Sequence, residues 1–160
     1  MSKIASALGE SYQAKREELR IRKFELGGHT FKVRIPVVAE TDAIFKRINE
    51  PDEAKIQELF EKLSKPLLEF KDDAEKTGFE FTENDILIEG KSTRQTVRTQ
   101  VMTQTRITEF IKLLVPVEGG SLEHITYEDI EEEFPMSTQL ALVEKIAEVI
   151  SPTYRESRGN

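Results

Sequence analysis

The densest chemical group in this 160-residue chain is an acidic run, Glu128, Asp129, Glu131, Glu132 and Glu133. Glu128 and Glu132 stand four apart and share a helix face, where paired carboxylates suit a hard cation. The run lacks the alternating oxygen ligands and mid-loop glycine of a calcium loop, and no motif ties a second acidic cluster to it. It reads as solvated surface, and no metal is expected. The only two imidazoles are His29, beside a Gly-Gly pair, and His124, next to Glu123. An imidazole suits acid/base work, but neither has a nucleophile or an orienting carboxylate at a recognised spacing. The chain has no cysteine, which removes thiolate zinc sites, redox pairs and cysteine nucleophiles together. It has no phosphate-cradling glycine loop either. No catalytic residue, no cofactor and no enzymatic activity are therefore expected, and the chemistry left to such a chain is that of binding.

Two stripes carry that binding chemistry. Arg94 and Arg98 lie one helical turn apart and Arg106 falls near the same face, among Thr96, Thr99, Gln100, Thr103, Gln104 and Thr105. A basic stripe rich in hydroxyls and amides can contact phosphates or dock on an acidic band, within the chain or on a neighbouring copy. It has no interleaved aromatic residues for stacking on single-stranded RNA. The second stripe is apolar. Phe134, Pro135 and Met136 lead into a last helix with Leu140, Val143, Ile146, Ala147 and Ile150 spaced by three and four. Two readings are open for it: a core face, or an amphipathic helix offered to a partner through Phe134, Met136, Leu140 and Val143.

Charge narrows the partner. The formal net charge is −7, laid out in bands: +3 over residues 1–50, −7 over 51–90, +3 over 91–120 and −6 over 121–160. A banded, net acidic surface does not make a general nucleic-acid binder, since phosphate affinity needs a basic surface. It does suit a protein partner or self-association. No apolar run approaches the ~20 residues of a membrane span, and residues 1–10 do not read as a secretory signal, so a soluble intracellular protein is expected.

These residues are positioned by a chain with clear fold signals. Phe24 and Leu26, then Phe31, Val33 and Ile35, alternate with charged residues around Gly27-Gly28, the pattern of a β-hairpin with one apolar and one basic face. Residues 1–19 form a weak amphipathic helix or an arm. Helices are expected over residues 38–49, from Pro51 to residue 63, and after Pro66, with Ser64 capping the restarted piece near its beginning and residues 77–78 its end. The runs 79–81 and 86–88 are strand-like and extend the hairpin's sheet. Ser92 and Gln95 form a capping box that opens a helix over residues 92–115. Thr126 caps a short acidic helix, and the last helix follows Pro135. The expectation is α+β, mostly helical: a small antiparallel sheet built on the hairpin and packed with several amphipathic helices. Residues 20–150 form one domain between the arm at 1–19 and a polar tail at 151–160.

The stretch Phe24-Glu25-Leu26-Gly27-Gly28-His29-Thr30-Phe31-Lys32-Val33-Arg34-Ile35-Pro36, running into Val38-Ala39-Glu40-Thr41-Asp42-Ala43, resembles the tail assembly chaperones of long-tailed, siphovirus-type bacteriophages. So does the far end, where Phe134-Pro135-Met136 leads into a last helix rich in Glu, Leu and Ile. The resemblance covers most of the chain in layout, but only these stretches in residues. It implies a non-enzymatic, oligomeric protein of the host cytoplasm that binds the tape-measure protein and helps recruit tail-tube subunits during tail morphogenesis. It also implies a protein absent from the mature virion, and often made in a longer, frameshifted form. The alternative expectation is a tail-completion or head–tail joining protein retained in the particle. A nucleic-acid binder using the basic hairpin is a third and weaker reading.

Overall fold

The computed structural model of the chain describes residues 2–73, 78–118 and 120–151. These residues are mostly helical, with two small antiparallel sheets, and fall into two compact units, residues 1–43 with 107–160 and residues 44–106. The single span of 20–150 expected from sequence holds residues of both.

In the first unit, helix α1 (Lys3–Arg20) runs directly into strand β1 (Ile21–Leu26) and its partner β2 (His29–Arg34). Gly27 and Gly28 both take left-handed backbone, with φ of 60° and 81°. That is what a two-residue turn matching strand twist demands. The register sets Phe24 opposite Phe31, with rings stacked at 5.3 Å between centroids. Phe24, Val33 and their neighbours on that face lie under the last helix, α6 (Met136–Ile150). Arg34, on the other face, makes a two-pronged bond to Glu40 of α2 (Val38–Asn49), both contacts 2.7 Å long. This bond, with burial opposing it, raises the Arg34 pKa above its ordinary value.

The helix expected to reach residue 115 stops earlier. Helix α4 spans Thr93–Ile111, and the next residues straighten along β2. Arg34 donates its N–H to the Leu113 carbonyl, Val115 donates to Lys32, both at 2.8 Å, and Val33 bridges Leu114. Val115 precedes Pro116, and a residue before proline is pushed out of helical backbone, but residues 113–115 leave the helix to bond along β2.

Residues 44–106 enclose a separate core of Ile56, Phe60, Ile86, Val97 and Val101. Helix α3 (Glu53–Ser64) starts one residue after its cap, Asp52, whose carboxylate accepts from the Ala54 N–H at 2.9 Å. Pro51 thus precedes the cap rather than opening the first turn. Past Pro66 the chain continues as a 3-10 helix, Pro66–Asp73. Ser64 does not cap it, because its hydroxyl turns back to the Glu61 carbonyl. The expected end of this piece at residue 77 lies outside the described residues.

Strands β3 (Phe79–Phe81), β4 (Ile86–Ile88) and β5 (Lys91–Ser92) form a sheet of their own in the order β3-β4-β5. They do not extend the hairpin, as the sequence reading had them do. The turn at Glu89-Gly90, both with positive φ, folds β5 back onto β4. The central strand thereby has a neighbour on each side.

Candidate functional site

The apolar stripe at the end of the chain is held by a polar corner. Thr126 and Asp129 form a reciprocal capping box at the start of α5 (Tyr127–Glu133), with the Asp129 carboxylate accepting from the Thr126 N–H at 2.8 Å. Two residues beyond α5, Pro135 opens α6, and its carbonyl accepts from both Thr138 and Gln139. Gln139 then locks the corner. It is 2% exposed. Its amide donates to the Phe134 carbonyl at 2.9 Å, and its side-chain oxygen accepts from the Tyr127 hydroxyl at 2.9 Å. Burial, with the nearby Glu131 charge, raises the Tyr127 pKa despite that bond.

This corner fixes which face of α6 is inward. Gln139, Leu142, Val143 and Ile146 are buried, whereas Met136 and Leu140 are 53% and 51% exposed. Met136 and Leu140 stand four apart, so they share one outward face. Of the four apolar residues singled out from sequence, Phe134 is half-buried and Val143, at 7% exposure, belongs to the core. Val143 is therefore not free to touch a partner. The inward face is rotated from the one the apolar spacing implies, because a glutamine occupies a core position. Its signal in sequence was faint: a lone amide between apolar turns, one turn after a Phe-Pro.

The arginine stripe lies in the other unit, and its first two members are spent there. Arg94 donates to the Gln57 side chain at 2.7 Å and to the Asn84 carbonyl at 2.9 Å. Its guanidinium sits 4.1 Å from the Phe60 ring centroid. Arg98 pairs with Glu53 at 2.7 Å. Arg98 thus meets an acid within the chain, whereas the side-chain partners of Arg94 are neutral groups. Arg106 is exposed.

Sequence reasoning missed Asp85. Its carboxylate accepts from the backbone N–H groups of Ile86 at 2.8 Å and Arg94 at 3.0 Å, and from the Ser92 hydroxyl. Ser92 accepts from the Gln95 N–H as a cap should, and Asp85, seven residues before it, adds the bond from the Arg94 N–H at the start of α4. Burial pushes the Asp85 carboxyl up, yet the bonds from Ser92, Arg94 and Ile86 and the Arg94 charge outweigh it and hold the pKa below the usual range. This is a structural carboxylate, with its lone pairs already engaged.

The groups weighed for catalysis stand apart from one another. His29 lies edge-on to Phe31, with 4.6 Å between ring centroids. His124 is exposed, 4.0 Å from Glu123. Among the described residues, no three His, Asp or Glu side chains gather as a metal would need. No helix among them is long and apolar enough to cross a membrane. No protein-family model, curated protein or solved structure matches the chain.

Proposed function

We propose that this protein is a non-enzymatic, polypeptide-binding assembly chaperone of the long-tailed bacteriophage type. It holds the tape-measure protein and helps bring tail-tube subunits to it. One observation carries the reading: α6 exposes Met136 and Leu140 along the flank of its buried face, while the corner around Gln139 keeps that flank turned outward. An exposed apolar pair on a rigid helix is the usual anchor for another amphipathic helix, and methionine adapts to irregular partners. A tape measure is long and largely helical, with apolar faces that associate unless covered. A holder of net charge −7 stays soluble while covering them. The sequence resemblance of residues 24–43 and 134–150 supplies the identity of that partner.

The test is co-expression with the tape-measure protein followed by co-purification. Met136→Asp with Leu140→Asp is expected to abolish capture while leaving the melting temperature within a few degrees, since both residues are exposed. Retained capture would refute the assignment of this face. Mass spectrometry of purified virions supplies the second arm: the protein should be missing from them, and its presence would make it a particle component instead.

A further inference from the structure

β1 is the outer strand of its sheet, and its backbone directs hydrogen-bonding groups away from β2. The direction follows from the ladder. Arg34 gives its N–H to Leu113, and Lys32 lends its carbonyl to Val115. Residues 32 and 34 therefore turn their backbone groups away from β1. Residues opposite one another in an antiparallel pair both turn toward each other or both turn away. Lys23 lies opposite Lys32, and Ile21 opposite Arg34. Ile21, Lys23 and Glu25 thus face outward along the far edge of β1. The Arg22 guanidinium takes the Ile21 carbonyl at 3.3 Å. Among the described residues, nothing outside the hairpin bonds the backbone of Lys23 or Glu25. Both residues are exposed.

The side chains add an independent feature. Lys23 and Lys32 are directly opposite on one face, a like-charge pair that opposes strand pairing. Among the described residues neither has an acidic partner. Glu25, two residues on and therefore on the same face, lies opposite Thr30 and has no cationic partner among the described residues. The same edge thus carries a cation without an anion and an anion without a cation, at a strand spacing of two.

We propose that the outer edge of β1 pairs antiparallel with β1 of a second copy of this chain, about a twofold axis passing beside Phe24. That register sets Lys23 of each copy opposite Glu25 of the other. Both residues face outward, so each couple exchanges its backbone hydrogen bonds and also sets opposite charges side by side on one face. Glu25 of the second copy brings the anion that Lys23 and Lys32 lack. Neighbouring registers fail. An axis at Lys23 or at Glu25 sets that charge against itself, and a shift by half a step turns outward backbone groups toward inward ones. Self-complementarity under a twofold is what an isologous contact requires. A six-residue strand offers little area beside the roughly 1,200–2,000 Å² of a standard stable interface, so the dimer is concentration-dependent. This contact does not rest on the proposed role of α6.

Sedimentation equilibrium of the full chain over a range of concentrations tests it. The wild-type chain is expected to be a reversible dimer. Lys23→Glu and Glu25→Lys each turn both couples into like charges and should weaken association at least about tenfold. An equimolar mixture of the two variants sets two acids opposite two bases and should recover the dimer. Circular dichroism guards against misfolding, which the exposure of both positions disfavours. A chain that stays monomeric at every concentration, single variants that dimerise like wild type, or a mixture that fails to associate would each overturn the proposal. Tape-measure capture by the single variants separates this contact from α6: it should persist in both.

Discussion

At the scale of single residues, the most consequential side chain is one with no chemical reputation in the sequence. Asp85 gathers the Ile86 and Arg94 amides and the Ser92 hydroxyl, joining a strand start to the first turn of α4. Helix caps of this kind contribute about 0.5–2 kcal/mol. Its pKa is depressed in the fold, so the stabilisation is complete above the unfolded-state value of roughly 4 and is lost as pH falls through the lower folded value. Asp85→Asn should therefore lower stability by about 1–2 kcal/mol at neutral pH. The gap between variant and wild type should close as thermal melts are repeated at increasing acidity. A neighbour makes the opposite case. Among the described residues, the buried Thr93 hydroxyl has no hydrogen-bond partner. Thr93→Val removes an unsatisfied group at nearly constant volume and should raise the melting temperature, by an amount corresponding to roughly 1 kcal/mol. A lower melting temperature would mean that the hydroxyl is satisfied by solvent.

At the scale of elements, legibility followed the range of the signal. The hairpin was readable because period-two alternation and a Gly-Gly turn are contained within thirteen residues, 24–36. The helices over 38–49 and after Pro135 were readable for the same reason. What failed was non-local. The fate of residues 112–115 depended on β2 lying alongside, and the partition into two sheets depended on β4 finding β5 through a turn with Glu89 at φ 53°. The inward face of α6 depended on Gln139 meeting Tyr127 and Phe134. So of the residues grouped from sequence, Met136 and Leu140 are exposed, while Val143 belongs to the core. Helix α1 shows a local feature that periodicity cannot express. Its axis breaks at Gly9, with φ 89° and ψ 175°, a conformation essentially closed to residues with a Cβ. Ser2 caps the short first piece, and Ala5 on it is buried. Gly9→Ala should either cost about 1–3 kcal/mol or let α1 straighten, exposing Ala5. Greater helical ellipticity would identify straightening. An unchanged spectrum at unchanged stability would mean that the break is not set by Gly9.

At the scale of the whole molecule, the two candidate stripes divide between the two compact units, and their burdens differ. The arginines of residues 44–106 serve their own unit. Reversing Arg94 loses its bonds to Gln57 and Asn84 and its stacking on Phe60, and brings a carboxylate toward Asp85; reversing Arg98 breaks its pair with Glu53. Arg98 and Glu53 are both partly exposed, so that pair is worth about 0.2–1 kcal/mol, and the cation–π contact adds about 0.5–2. Arg94→Glu with Arg98→Glu should therefore lower the melting temperature by several degrees, and tape-measure capture measured below that temperature should be unchanged. Met136→Asp with Leu140→Asp should do the reverse, costing capture and little stability. The crossed pattern matters because either half alone has a trivial explanation: a destabilised protein loses binding, and a surface change leaves stability intact. If reversing the arginines abolished capture by a folded protein, Arg94 and Arg98 would have to leave their internal partners to reach an external one. Polar docking rather than the apolar face of α6 would then govern recognition.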